Sequence, residues 1–342
     1  MKETISIRLL NMLEKGKAHL SDEALQLVSG FVKHQMADDC TFLNKGGKTD
    51  LYYTAFGWML CYVLGIKLDP KKMRSYLAAL KSDGLDLIHY AAYVRCIMLT
   101  GVLRNGRLIS ASGKILNSQV FSKKASDTRL SKVLNPGRFQ IVNDWLKNGS
   151  NAAVGVERLI IEPGSFKIKE LKDISEFKGV PHNDPRSPYS QFIWLSLLED
   201  TGNKTAGKAQ ILSALEEYHQ PGGGYRNIQE APGASTNATV AALSVRGQLA
   251  GYNKNQDTDY LKSLQQPTGG FCAATASPVP DLLSTATALF MLKCYDEVPR
   301  YDPGDFLEAH WLNSGGFCPT LIDDTSDVEY TFYGLLALGT IE

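Results

Sequence analysis

The sequence predicts an all-α fold, a closed ring of helical hairpins, and three observations carry that prediction. A stretch made of a Gly-Gly-aromatic turn, a polar loop, an Asp or Ser and an apolar segment occurs at Gly223–Leu243, Gly269–Leu292 and Ser314–Gly339. In each copy the turn aromatic (Tyr225, Phe271, Phe317) is followed ten residues later by the opening residue of the apolar segment (Ser235, Asp281, Asp327) and four further on by a Thr (Thr239, Thr285, Thr331). The period of about 46 residues is the length of a two-helix repeat. Second, an amphipathic stretch precedes each copy, with apolar residues recurring at three and four as on a helix with one wet face. Third, the segments after the turns are apolar or small on nearly every side, the pattern of a helix buried all round. Half-wet outer helices alternating with fully buried inner ones are what a closed ring of hairpins requires.

Taken in order, MKETISIRLLNMLEKGK has charges on both sides of a short apolar patch and reads as an ordinary helix rather than a signal peptide. A weaker repeat follows. It lacks the Gly-Gly-aromatic turn, but Asp50, Tyr53, Thr54 and Gly57 match Asp327, Tyr330, Thr331 and Gly334, and Gln35 to Asp50 equals the spacing from Gln220 to Ser235 and from Gln266 to Asp281. The outer helices are expected at Asp22–His34, Thr205–His219, Thr258–Gln266 and Pro303–Trp311, with Thr205, Asp257 and Asp302 as N-caps. The inner helices are expected at Asp50–Gly65, Ser235–Gly251, Asp281–Tyr295 and Asp327–Gly339, where an Asp or Ser at the start caps the helix and a carboxylate suits its dipole. Two more inner helices, Asp86–Thr100 and Ser187–Glu199, with outer partners Pro70–Leu80 and Gly137–Lys147, bring the ring to about six pairs in one domain spanning 1–342. Between Asn105 and Asp184 the rhythm fails. There Glu157–Leu171 reads as two short strands about a Pro-Gly turn, a small β excursion serving as a lid or partner-binding segment, or else a diverged repeat with a long loop.

Lys and Arg (36) balance Asp and Glu (36), which gives no support for nucleic acid or an acidic membrane surface as the main partner. No apolar run approaches the roughly 20 residues of a membrane span. Six cysteines without a CxxC pair suit a reducing compartment, so a cytoplasmic location is expected. Cys272 and Cys318 each follow a turn aromatic; they are small fillers at a tight turn, or a reactive or metal-binding pair.

The segments QQPTGGF and DVEYTFYGLLALG resemble the beta subunit of protein prenyltransferases, within the prenyltransferase and squalene-cyclase repeat superfamily, over most of the chain and most strongly from Tyr218 onward. The resemblance implies an alpha/alpha toroid: six parallel inner helices around an apolar, aromatic-lined funnel, six antiparallel outer helices, and a functional mouth at the inner N-termini. Helix N-termini converging on one opening also form a positive rim suited to a diphosphate.

Protein prenyltransferases hold a catalytic zinc through Asp, Cys and His. The corresponding segments here are Asp281-Leu282-Leu283 and Asp327-Val328-Glu329-Tyr330-Thr331, so the thiolate and the imidazole are missing and no zinc site is expected. His89 stands three residues after Asp86, the same spacing in another repeat. Asp323, Asp324, Asp327 and Glu329 are candidate ligands for a hard cation such as magnesium, against the plainer reading of capping and solvation. Cyclases of this superfamily protonate their substrate from an Asp-x-Asp-Asp motif. DVEYT lies in that register with Asp327 and Glu329, but Tyr330 stands where the proton donor is expected, and a phenol of pKa about 10 is a poor substitute. Asp323-Asp324-Thr325 resembles the end of the motif, in the loop.

Of the family's basic diphosphate contacts, the His that opens one inner helix is Ser235 here and TASPVP precedes Asp281, which leaves Lys45, Lys48 and Arg226 as candidates beside the reading of solvated loop side chains. Tyr52, Tyr53, Trp58, Tyr90, Tyr93, Trp194, Tyr330 and Tyr333 lie on the inner helices, to line an isoprenoid-shaped cavity or to pack between helices. Tyr53 and Tyr330 become neighbours if the ring closes.

The expected catalytic set is therefore Asp281, Asp327, Tyr330 and Tyr53, with Lys45, Lys48, Asp50, Tyr52, Arg226, Glu329 and Tyr333 contacting substrate. The leading reading is an isoprenoid or similar lipid bound in a central cavity, by a transferase acting on a prenyl diphosphate or a cyclase-like protein without the usual zinc triad, with diphosphate chemistry ranked above protonation-initiated cyclisation. Its partners are a hydrophobic small molecule and, on the family pattern, a helical partner subunit. The alternatives are a non-catalytic scaffold on the same fold, or a sugar-active α/α-barrel enzyme with Asp281 and Asp327 as paired carboxylates.

Overall fold

A computed structural model describes residues 3–80, 84–105, 184–201, 203, 205 and 207–341. The expected helix Gly137–Lys147 and the β excursion at 157–171 lie outside the described residues. Helix α1 (Ile5–Ala18) comes first, followed by α2 (Asp22–His34) with α3 (Leu51–Leu64), and α4 (Pro70–Ala79) with α5 (Leu87–Asn105). Next come α6 (Pro188–Asp200), α7 (Lys208–Glu216) with α8 (Thr236–Ala250), α9 (Gln256–Ser263) with α10 (Leu282–Cys294), and α11 (Gly304–Ala309) with α12 (Val328–Leu338). Six of these are inner helices, in the order α3, α5, α6, α8, α10 and α12, and each packs against the next, with α12 returning to α3 to close the ring. The fold is all-α, and among the described residues strands pair only as two-residue ladders at the turns: β1 (Phe42–Leu43) on β2 (Thr49–Asp50), and β3 (Phe271–Cys272) on β4 (Pro280–Asp281).

The repeated Thr explains the register. In each clear copy its hydroxyl accepts from the buried amide of the turn aromatic, Thr239 from Tyr225 (2.9 Å), Thr285 from Phe271 (2.8 Å) and Thr331 from Phe317 (3.4 Å). The same hydroxyl donates to the carbonyl of the helix-opening residue, at 2.7 Å in each case. The Thr thus ties turn to helix, and its spacing is structural. Substituting Thr285 by Val keeps the shape and deletes both bonds, leaving the Phe271 amide buried and unpaired. A loss of about 2 kcal/mol is expected in chemical denaturation, and an unchanged midpoint would count against the clasp.

The first repeat has the same clasp in disguise. Thr54 accepts from Phe42 (3.0 Å) and donates to the Asp50 carbonyl (2.6 Å). Phe42 stands eight residues before Asp50, so the loop is two residues shorter than in the other copies and the equal spacing counted from Gln35 is not the structural register. Ala37, whose amide donates to Thr41 at 2.8 Å, is the counterpart of Gln220, which donates to Gly224 at 2.9 Å. Cys40, with φ of +69°, occupies the left-handed position that Gly269 takes at +92°. The Trp58 indole secures that position by donating to the Cys40 carbonyl at 2.7 Å.

The outer helices start elsewhere than expected. Asn255 caps α9, and α7 and α11 have no side-chain cap. Asp257 is turned inward instead, where its carboxylate accepts from the Gly224 amide at 2.8 Å and meets His219 at 2.7 Å. Asp302 accepts from Gly304 at 2.8 Å in a tight turn, and Thr205 caps nothing among the described residues. The outer layer also closes on itself: a Cβ on Gly316 would meet the Phe31 ring of α2, as one on Gly270 would meet Phe306 of α11.

Helix α1 lies across the C-terminal ends of the inner helices. Lys17 donates to the Val63 carbonyl at the end of α3 (2.7 Å), Ile5 to Glu199 (3.0 Å) and Ser6 to Asp200 (2.8 Å) at the end of α6, and Gln248 of α8 to the Glu3 carbonyl (2.9 Å). Gly16 and Gly339 let its backbone touch that of α12, since a Cβ on either would overlap a carbonyl oxygen, of Leu335 or of Met12. Helix α1 therefore forms a floor under α3, α6, α8 and α12 at this end, and the inner N-termini lie at the other.

Candidate functional site

At the end opposite α1 each inner helix begins on its own cap. Asp50 accepts from Tyr52 (2.8 Å) and Tyr53 (3.1 Å), Asp86 from His89 (2.8 Å), Asp281 from Ser284 (2.8 Å) and Asp327 from Tyr330 (2.8 Å). Ser187 and Ser235 cap the other two. Four of the six N-termini thus carry carboxylates that occupy first-turn amides a diphosphate would need, and they add negative charge to the rim. Asp50, Asp281 and Asp327 are first of all caps. Burial nevertheless raises Asp327 and Asp281 above the ordinary aspartate range, and Asp327 Oδ2 is buried without a hydrogen-bond partner.

Cap-plus-two positions meet inside the mouth. On α3 this is Tyr52, on α6 Tyr189 and on α12 Glu329. The Tyr52 hydroxyl donates to Glu329 Oε1 at 2.7 Å. One turn deeper, Phe56 stands 4.9 Å from the Tyr52 ring and 5.8 Å from that of Tyr333, and Tyr330 stands 6.5 Å from Tyr333. Tyr189 comes from the helix opposite α12, and its proximity helps raise both Tyr52 and Tyr333. Tyr52, Tyr189, Glu329 and Tyr333 keep partial exposure although protein surrounds them.

Burial raises Glu329 above the ordinary glutamate range; the Tyr52 hydrogen bond opposes this and the Asp327 charge adds to it. Burial likewise raises Tyr53, and raises Tyr330 to about 12. The carboxyl is therefore the group here that changes protonation first, and the phenols stay protonated.

The basic candidates are dispersed. Lys45 pairs with Asp323 at 3.1 Å and lies 4.9 Å from the Tyr330 ring centre. Hydrogen bonds from Thr325, and then from Lys45, hold Asp323 down at about 2. Lys48 is exposed, with no side-chain partner among the described residues. Arg226 sits in the loop before α8, across the ring from α3, with a buried and unpartnered Nε. Asp323, Asp327 and Glu329 are committed to Lys45, Tyr330 and Tyr52 respectively, and no three His, Cys, Asp or Glu side chains among the described residues converge as metal ligands do. Cys272 and Cys318 are buried turn residues whose thiols burial pushes up.

Tyr189, Phe56 and Arg95, the last on α5, stand outside the expected set of residues. The signal was available in the cap register, because cap-plus-two, plus-six and plus-nine share one helix face. Trp58 and Tyr90, read as cavity candidates, are fully buried packing residues.

A closed ring of helical hairpins with an acid and several aromatics at the end opposite α1 defines an alpha/alpha toroid. The prenyltransferase alpha-alpha toroid domain family matches residues 151–261 and 248–342, together more than half of the chain, and the chain belongs to that family. Among solved structures, a variant of the type II terpene cyclase MstE from Scytonema, in complex with its product merosterolic acid A, is similar at 11% identity. That match covers 97% of this chain and 96% of that one, with a TM-score of 0.28. No curated protein matches the chain. The donor set for a prenyltransferase zinc does not fit, because Leu283 and Tyr330 occupy the thiolate and imidazole positions and Tyr330 is held protonated. No helix among the described residues is long and apolar enough to cross a membrane.

Proposed function

We propose that the protein binds an isoprenoid or similar lipid inside the ring, and that Glu329 is the proton donor of a cyclase-like reaction there. The observation that carries this reading is the half-buried Tyr52–Glu329 pair at 2.7 Å among aromatic side chains. Burial keeps the Glu329 carboxyl protonated to higher pH than a free glutamate, so an acid is available where an alkene or epoxide would lie. With Tyr52 donating to Oε1, Oε2 carries the proton. Transfer of that proton to the ligand leaves a carboxylate that the Tyr52 hydroxyl stabilises, and a cation that the faces of Phe56, Tyr189 and Tyr333 stabilise. Loss of a ligand proton ends the reaction and balances the first transfer.

In this reading Asp50, Asp281 and Asp327 set the shape of the mouth, and Tyr53 and Tyr330 flank the acid. Lys45, Lys48 and Arg226 are rim cations that meet the ligand as it enters. Chemistry at a prenyl diphosphate is less favoured, because Lys45 is already paired and carboxylates cap four of the inner N-termini. Native mass spectrometry against farnesol, geranylgeraniol and squalene tests the ligand class. A one-to-one complex with at least one of them is expected, and no complex with any would overturn the reading.

A further inference from the structure

We infer that Arg95 forms an oxyanion-binding subsite at the α1 end of the ring, so that the ligand is an amphiphile with an isoprenoid-like body and a carboxylate or phosphate terminus. The inference rests on the proposed lipid-binding interior and specifies which lipid fits it. Arg95 lies seven residues after Ile88, the cap-plus-two residue of α5, and so on the same helix face. One Nη approaches Asp200 at the end of α6 and Nε is buried, and the charge also acts on Tyr189 of α6 and on Tyr333 of α12.

Arg95 is held there by little. One Nη lies 4.0 Å from Asp200 Oδ2, an oxygen already accepting from Ser6 of the floor helix at 2.8 Å. No hydrogen bond from the guanidinium is made among the described residues, and Nε is buried without a partner. The side chain still keeps 28% exposure. An arginine presents five donors in a planar fork that matches a carboxylate or phosphate, and leaving such donors unused in a partly desolvated place is costly. Asp200 compensates the charge and steadies the fork without filling it.

The spacing suits a molecule with two ends. Glu329 is two residues past its cap and Arg95 nine past its own, so the two differ by about 10 Å along the ring axis at the usual helical rise. A lipid with its head on Arg95 directs its apolar body past Tyr189, Phe56 and Tyr333 towards the acid at the mouth.

The test titrates the full chain with geranylgeraniol, geranylgeranoic acid and geranylgeranyl diphosphate, in the wild type and in R95Q and R95K. The wild type is expected to bind one of the two anionic probes about tenfold tighter than the alcohol. R95Q should abolish that preference while leaving the alcohol unchanged, and R95K should retain part of it; which anion is preferred distinguishes a carboxylate from a phosphate source. A wild type without head-group preference, or an equal loss for all three probes in R95Q, overturns the subsite and leaves the lipid-binding reading standing. Failure of all three probes to bind overturns both. If R95Q does not fold, the wild-type preference and its reduction in R95K decide the question.

Discussion

Substituting Gly16 by Val is expected to cost roughly 3 kcal/mol or more, because the added Cβ would overlap the Leu335 carbonyl oxygen, a backbone atom that cannot step aside. The damage should be local first. Helix α1 is bonded to the last turns of α3, α6 and α8 as well as α12, so its displacement frees the floor at once. Hydrogen exchange at Leu335–Gly339 should accelerate together with exchange in α1, and the chemical unfolding midpoint should fall. Gly339→Val should act in the same way through the Met12 carbonyl. A Gly16 variant of wild-type stability would mean that α1 does not hold the floor.

Replacing Glu329 by Gln is expected to lower turnover of an isoprenoid substrate by about 10²- to 10⁴-fold, the usual loss on removing a general acid, while ligand binding persists. The same variant has a signature in pH. The folded pKa of Glu329 is raised from the ordinary 4.5, so the folded state binds its proton more tightly than the unfolded chain does. The resulting stability is fully present below pH 4.5 and is lost as pH rises through the raised value. Asp327 and Asp281, raised from 3.8 by burial, act in the same direction. E329Q should therefore show a shallower fall in stability over this window than the wild type. Turnover in the wild type should decline over the same range as the donor ionises, and a rate that rises with pH there would exclude Glu329 as the acid.

The inner helices α8, α10 and α12 were legible almost to the residue because what defines them is local. A cap, a Thr four residues on and a turn aromatic ten residues back make their bonds within one repeat, and the chain displays that spacing directly. What tertiary structure decides was not legible. Asp257 looks like a cap but serves the Gly224 amide of another repeat. Cys40 hides a turn because a left-handed residue there is usually glycine. Helix α1 reads as ordinary because its floor role rests on backbone contacts between Met12 and Gly339, at opposite ends of the chain. Tyr52 and Glu329 could be named as site residues from their helix starts, but their pairing needed the ring to close. Arg95 is a single charge on an apolar helix in the sequence, and only the closed ring shows that its Nε is buried without a partner among the described residues.

Photo-crosslinking with a benzophenone-bearing farnesyl analogue, followed by peptide mapping, tests the central claim that the ring interior holds a lipid. Adducts are expected at Tyr52, Phe56, Tyr189 or Tyr333, competed away by unlabelled isoprenoid. Adducts confined to the outer helices, or labelling indifferent to competitor, would contradict it.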